Sequence, residues 1–250
     1  MRAVQEIDIH PGVRLWVSTR NGGVSEAPFD SLNLGDHVGD DGQAVQENRR
    51  ILEARCELPS PVNWMNQVHG TRLIDDAARL RDQIHPESTT ETFVKGSSIE
   101  GDVAFTRRKR EVLGVMTADC FPVMLYSEKD RSLALVHAGW RGLANGIIEK
   151  TAAHFSQIST AWLGPGIRQC HFEVGFELKD LFQEKCFVQD SKNSSPLMLD
   201  LPLVIRDKCK ALGISRVLDD GRCTYCDSGT FFSYRRNGST GRFATLAWLT

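Results

Sequence analysis

Two residues able to do chemistry stand on either side of a short turn: Cys120, in Met116-Thr117-Ala118-Asp119-Cys120-Phe121-Pro122-Val123, and His137, in Val136-His137-Ala138-Gly139-Trp140-Arg141-Gly142. Three apolar runs, Val112 to Met116, Pro122 to Tyr126 and Ser132 to Val136, are bounded by polar turns and read as buried strands. A four-residue loop from Ser127 to Asp130 centres a hairpin between Glu128 and Lys129, and Cys120 and His137 are equidistant from that centre. In this register they oppose each other, with Cβ atoms about 4.5–5.5 Å apart on one face. Pro122 cannot donate to a ladder and suits a strand start or an edge. A three-residue loop would instead send the two side chains to opposite faces.

A thiol facing an imidazole supports two chemistries beside that of an inert buried pair. One is a cysteine nucleophile whose thiolate is favoured by a histidine base. The other is a metal site, in which three protein ligands leave a position for water or substrate. His69, beside glycine in Asn66-Gln67-Val68-His69-Gly70, is the candidate third ligand, although nothing local folds it back onto the hairpin. Asp119 is a candidate orienting carboxylate.

Other constellations are weaker. Cys223-Thr224-Tyr225-Cys226 is a CxxC, but no second CxxC or HxxxH accompanies it and a thioredoxin-like βαβ context is missing, so it reads as two unpaired buried thiols. Cys170-His171 reads as structural, because adjacent side chains on a strand diverge. Arg20, Arg49, Arg141, Arg168, Arg235 and Arg236 adjoin glycine, asparagine or aromatic turn residues. Several converging on one cleft would suit phosphate or a purine edge, since guanidinium offers a planar fork of donors.

The elements that must position these residues are those of an α/β protein. At 250 residues the chain can bury a full core, with 41% apolar and 25% charged residues, as soluble globular proteins have. A net charge of −2 gives no global attraction to nucleic acid or anionic membrane, and no run approaches a membrane span. The first residues lack the apolar core of a secretory signal, and seven cysteines, an odd number, argue for free thiols in a reducing compartment, hence a cytoplasmic protein.

Along the chain, Val13 to Ser18 alternates as a strand, and Phe29 to Asp40 is a polar, glycine-punctuated loop. Asp40 or Asp41 caps a helix from Gln43 to Cys56 with Val45, Asn48, Leu52 and Cys56 near one face and Arg49 and Arg50 solvated beside it. Val62 to Met65 and Arg72 to Ile74 are short strands, residues 77–100 a surface excursion, and Gly101 to Ala104 a return to the core. A helix from Leu143 to Phe155, a strand from Thr160 to Leu163 and a helix from Phe176 to Cys186 follow. After the polar linker 189–195 come a helix from Leu201 to Leu212, a strand from Arg216 to Leu218, and terminal strands Thr230 to Tyr234 and Arg242 to Leu249. No repeat and no strong linker divides the chain, so residues 1–250 read as one domain.

Taken together, STRNGGVS, SLNLGDHVGDD, ENRR, NQVHG, MTADCFPV, VHAGWRG, LGPGI, FEVG and FFSYRRNGSTGR, in this order, resemble the YfiH family, also described as laccase-domain proteins, polyphenol oxidases or purine nucleoside phosphorylases. The resemblance runs from about Gly12 to the C-terminus. It implies mixed β-sheets in an α/β/β/α layered arrangement related to the catalytic domain of cytotoxic necrotizing factor toxins. It also implies zinc held by His69, Cys120 and His137, with copper as a possible ligand in vitro. The activity implied is phosphorolysis of adenosine, inosine and methylthioadenosine with adenosine deamination beside it. Arg49 would then contact the purine, and Arg141 and Arg235 are further substrate candidates. The partners are a small nucleoside and phosphate, with no nucleic acid and no membrane, and the protein a monomer or small homo-oligomer. The alternatives are a Cys–His hydrolase or deamidase, a peptidoglycan-precursor editing hydrolase, a copper-dependent polyphenol oxidase, or a binding protein with a vestigial site. True multicopper oxidation would need more histidines than the seven present can readily supply. Residues 77–100 look longer than in many relatives, and CTYC is outside the shared pattern.

Overall fold

The structure, a computed structural model, describes residues 3–62, 64–75, 99–189 and 196–250. β1 (Val4–Glu6) and β2 (Val13–Ser18) open the chain. α1 (Gly42–Cys56) starts at Asp41, whose carboxylate accepts the N–H groups of Gln43 and Ala44. β3 (Leu73–Asp75), β4 (Val103–Thr106), β5 (Leu113–Thr117), β6 (Phe121–Ser127) and β7 (Ser132–Ala138) follow. Next come α2 (Trp140–Ala144), α3 (Ile147–Ala152) and β8 (Thr160–Leu163). The remainder is β9 (Phe187–Val188), β10 (Met198–Leu199), α4 (Leu201–Ala211), β11 (Arg216–Asp219), α5 (Tyr234–Asn237) and β12 (Phe243–Leu249).

Two sheets carry the fold. One has the order β1-β2-β12-β5 and is antiparallel throughout; the other, β11-β8-β6-β7-β4-β3, is mixed, with parallel pairs at both edges. The period of two sorts their side chains into separate cores. On β12, Phe243, Ala247 and Leu249 face the six-stranded sheet, where they join Met124, Leu133 and Leu135. Ala244, Leu246 and Trp248 face the other way, toward Leu52 and Cys56 of α1. On the outer face of the six-stranded sheet, Phe121, Val123 and Leu125 pack with Leu143, Ile147, Ile148 and Ile205. The layers therefore run α1, four-stranded sheet, six-stranded sheet, and α2 to α4: an α/β/β/α single domain. Burial of each large apolar side chain contributes about 1.5–3 kcal/mol, so a one-residue slip of β12 would disrupt two cores at once.

Several elements differ from the sequence-based expectation. The helix expected from Leu143 to Phe155 is two short helices separated at Gly146, whose φ of 78° breaks the α-helical run. Residues 176–186 form two 3₁₀ segments, Phe176–Asp180 and Glu184–Cys186, since only Leu178 and Cys186 there are buried and no continuous apolar stripe exists to hold an α-helix. Val62 to Met65 form no strand among the described residues; Asn66 alone bridges Glu100. Thr230 to Tyr234 form none either: consecutive Phe231 and Phe232 are both buried, and Ser233 caps α5 by accepting the Arg236 N–H. The excursion expected at 77–100 and the linker at 189–195 lie almost wholly outside the described residues.

Candidate metal centre

The β6–β7 hairpin turns at residues 128–131, with Arg131 at φ 48°, and not at Ser127 to Asp130. Ser127 pairs with Ser132 and Pro122 with His137, so the expected direct pairing of Cys120 with His137 is not formed. The displacement is two residues in the pairing, which conserves the face of every side chain. Cys120, two residues before Pro122, meets His137 diagonally on the side of the six-stranded sheet that faces its neighbour.

His69 comes to this edge on a loop held by two side chains. The Gln67 amide behaves like a piece of strand, accepting the Met116 N–H and donating to the Met116 carbonyl, both at 2.8 Å. The fully buried Asp102, just ahead of β4, accepts the backbone N–H groups of His69 at 2.9 Å and Gly70 at 2.7 Å. His69 takes a left-handed backbone, φ 60°. Gly139 closes the site: a Cβ there would lie 2.8 Å from the Cys120 Sγ and 3.2 Å from the His69 Cδ2.

Asp102 also lies 2.8 Å from His137 Nδ1, and its own carbonyl accepts the His137 N–H. One carboxylate thus fixes the loop of one histidine and the ring of the other, leaving His137 Nε2 for a ligand. Asp119, proposed from sequence for this orienting role, does something else: its carboxylate accepts the Thr224 hydroxyl at 2.7 Å and the Arg235 N–H at 2.6 Å. The sequence signal for Asp102 is an acidic residue directly before the apolar run Val103-Ala104-Phe105, a position tolerated only when the charge is satisfied.

The ligand atoms of His69, Cys120 and His137 lie within 4.8 Å of one another. The two imidazoles meet edge to face, centroids 4.7 Å apart. His69 is exposed, Cys120 half-buried and His137 buried, so the trio is open on the His69 side. Burial opposes ionisation of the Cys120 thiol, but the charge and hydrogen bond of His137, with His69 behind them, bring it down to about 6. Burial likewise opposes a charged His137, yet the Cys120 thiolate and Asp102 lift it to about 9. One thiolate, two imidazoles, an orienting carboxylate and an open side form a donor set suited to a divalent ion.

The arginines are placed differently from one another. Arg49 is buried, not solvated as its helix position suggested. Its Nε and Nη2 donate to the Leu34 carbonyl, Nη2 lies 3.4 Å from Asp36, and the guanidinium sits over Trp64. Its neighbour Asn48 donates to the Ser31 and Asn33 carbonyls, so Asn48 and Arg49 together brace the polar loop 29–40. Arg235 donates through Nη1 to the Glu173 carbonyl at 2.8 Å. Arg141 is exposed, over Trp140, and makes no ion pair with another described residue. Arg242, not singled out from sequence, is buried enough to lower its pKa and feels the opposing charges of Cys120 and Asp119.

Residues 14–250 match the family model described as multi-copper polyphenol oxidoreductase laccase. The chain is 39% identical over 247 residues to purine nucleoside phosphorylase PA4543 of Pseudomonas aeruginosa, covering 95% of this chain and 93% of that one. It is 38% identical over 244 residues to purine nucleoside phosphorylase YfiH of Escherichia coli, covering 95% and 94%. Among solved structures, Neisseria meningitidis protein NMB0706 superposes with a TM-score of 0.85 at 35% identity, covering 99% of both chains. YlmD of Geobacillus stearothermophilus superposes at 0.81 with 29% identity, covering 96% of this chain and 92% of that one.

Proposed function

The chain belongs to the YfiH family, and from that membership we propose that it is a zinc-dependent purine nucleoside phosphorylase acting on adenosine, inosine and methylthioadenosine, with adenosine deamination as a side activity. The observation that carries the reading is the cluster of His69, Cys120 and His137 ligand atoms within 4.8 Å, open on one side, in a chain whose relatives bear purine nucleoside phosphorylase names. The three residues are assigned as ligands of a zinc ion, which would supply Lewis-acid charge toward an anionic nucleophile. Copper fits the same donors in vitro by the Irving–Williams order. Multicopper oxidation is disfavoured: the two metal-competent groupings among the described residues contain three histidines between them, too few for a mononuclear site beside a trinuclear one.

In phosphorolysis a phosphate oxygen bonds to the sugar anomeric carbon as the bond to the purine nitrogen breaks, and the purine leaves with a proton. In this reading Asp102 holds His137 in one tautomer, and Gly139 keeps the space beside Cys120 clear. Arg141, exposed in the first turn of α2 and without an ion pair to another described residue, is assigned to phosphate. Arg49 acts on the purine through the loop it holds, and Arg235, whose backbone N–H bonds Asp119, is a further substrate candidate after Arg141. The protein acts in the cytoplasm as a monomer or small homo-oligomer on small molecules; no helix among the described residues is long and apolar enough to cross a membrane.

The test is to incubate zinc-replete protein with adenosine, with and without phosphate, and to resolve adenine, inosine and ribose 1-phosphate. Phosphate-dependent adenine and ribose 1-phosphate are expected. Absence of both, with zinc-free protein behaving identically, sinks the proposal.

One observation favours a second reading. Cys120, His137 and Asp102 form a nucleophile, base and orienting carboxylate in series, the geometry of a thiol hydrolase or deamidase, including one that edits peptidoglycan precursors. Chelation separates the two: a metal enzyme loses activity and regains it with zinc, whereas a thiol enzyme survives chelation and is abolished by alkylation.

A further inference from the structure

A second cluster of metal-competent side chains lies outside the site just described. Cys170 stands 53 and 56 residues before Cys223 and Cys226, with His171 beside it, and the fold brings all four ligand atoms within 4.8 Å of one another. Cys223 and Cys226 are free thiols, as expected, but Cys223 is only half-buried and Cys226 exposed, and the expectation that the side chains of Cys170 and His171 diverge is overturned. Divergence holds on a strand, but residues 168–172 form a tight turn in which His171 and Phe172 both donate to the Arg168 carbonyl, and there adjacent side chains converge. The loop carrying CTYC docks against this turn through a bridge between Gly166 and Cys223 and through donation from the Thr224 N–H to the Gly166 carbonyl.

We propose that Cys170, His171, Cys223 and Cys226 form a structural zinc site, a closed Cys3His centre distinct from the His69–Cys120–His137 trio. Tetrahedral zinc stands about 2.3 Å from sulfur and about 2.0–2.1 Å from imidazole nitrogen, which places sulfur pairs about 3.8 Å apart and sulfur–nitrogen pairs about 3.5 Å apart. Cys170 Sγ lies 3.7 Å from Cys223 Sγ and 3.5 Å from Cys226 Sγ, and Cys226 Sγ lies 3.3 Å from His171 Nδ1. A disulfide, at about 2.05 Å, would use one sulfur pair and leave a third thiol and an imidazole without a partner. The surroundings are those of a ligand shell. His171 stacks on Tyr225, centroids 4.0 Å apart and planes 14° from parallel, with Nδ1 turned toward Cys226. The Arg168 N–H points at Cys223 Sγ from 3.4 Å, the donor a zinc thiolate accepts in its outer shell. Three soft thiolates and one imidazole select zinc over hard cations, and four protein ligands leave no open position, so the centre stabilises and does not catalyse.

Metal stoichiometry on the full chain tests this. Protein made with zinc in the medium and purified anaerobically without reductant is expected to carry two zinc ions. His69→Ala/Cys120→Ser, which removes two ligands of the first centre, should retain one. Adding Cys170→Ser to that variant should lose it. Cobalt gives a readout free of turnover: His69→Ala/Cys120→Ser protein loaded with Co2+ should absorb as a tetrahedral ion with charge transfer from three thiolates. Cys226→His keeps four ligands and should retain the ion with a weaker charge-transfer band, which separates ligand loss from misfolding. Folded His69→Ala/Cys120→Ser protein that takes up neither zinc nor cobalt overturns the assignment. So does an intact mass with a disulfide joining two of Cys170, Cys223 and Cys226. Nucleoside turnover enters none of these measurements, so the two proposals stand or fall separately.

Discussion

The Asp102 carboxylate lies 2.8 Å from the His137 ring nitrogen while accepting the backbone N–H groups of His69 and Gly70, so a single buried charge positions two of the three candidate metal ligands. Burial pushes its carboxyl up, but hydrogen bonding to His137 and to the two amides holds it below the usual carboxylate range. Asp102→Asn should therefore weaken zinc binding about 10–100-fold, the usual consequence of losing an outer-shell partner of a ligating histidine. Competition titration against a chelator measures this, and an unchanged affinity would remove Asp102 from the site.

Gly139 gives a steric prediction. A Cβ 2.8 Å from the Cys120 Sγ and 3.2 Å from the His69 Cδ2 must displace one of them, and neither can move freely while ligating. Gly139→Ala should lose most of its zinc yet keep its far-UV dichroism, because the glycine lies between β7 and α2 and not within either. Full zinc retention in this variant would contradict the ligand geometry.

The positions of these residues show how far sequence reasoning reaches here. Cys120 and His137 were legible because apolar runs and turn residues nearly specify a hairpin, and the two-residue error in pairing preserved the face. His69 was only a candidate, because its approach depends on Gln67 and Asp102 bonds that link segments far apart in the chain. The layered α/β/β/α order followed from the resemblance, not from periodicity, which cannot say which sheet a strand joins. The burial of Arg49 is not legible in the sequence, because its helix position borders the apolar face and only tertiary contacts with Leu34 and Trp64 explain burying a guanidinium. CTYC looked inert because its partners come from a turn about fifty residues upstream, at a spacing no local motif encodes.

The metal-free site should show a pH signature at Cys120. With its thiol brought down to about 6, it is mainly thiolate above that pH and protonated below it. Alkylation by iodoacetamide should thus stay fast from pH 8 to about 6 and fall below. Cys56 and Cys209, pushed up by burial to about 12 and about 11, should react slowly throughout. Zinc should protect Cys120. A Cys120 rate that falls tenfold per unit already from pH 8 would mean that His137 does not stabilise the thiolate.

Arg49 and Arg141 should separate by readout. Arg49→Met leaves the Leu34 carbonyl without its charged donor, a loss of about 1.5–3 kcal/mol that lowers Tm. Arg141→Ala removes an exposed side chain with no ion pair to another described residue, so Tm should change little while KM for phosphate rises. Thermal unfolding and phosphate-dependence kinetics on both variants decide it. Arg141→Ala with parental KM for phosphate would withdraw that assignment.

Thr224 ties the two metal-competent clusters together. It sits between Cys223 and Cys226, and its buried hydroxyl donates to Asp119 Oδ1 at 2.7 Å, immediately before Cys120 in the chain. Asp119 has φ 106°, and its carbonyl accepts the Ile167 N–H, so the backbone ahead of Cys120 is held from the side that carries the second cluster. Thr224→Val keeps the shape but removes the donor, leaving a carboxylate oxygen short of one partner at a cost of about 1–3 kcal/mol. The nearby Arg235 N–H still satisfies Oδ2, so the fold should stay intact. The expected result is a lower Tm together with weaker zinc binding at the first centre and undiminished cobalt absorption from the three-thiolate cluster. Loss of the second ion with the first unaffected would mean that Thr224 only shapes the CTYC turn. A variant indistinguishable from the parent in all three measurements would show that Cys120 is positioned without Asp119.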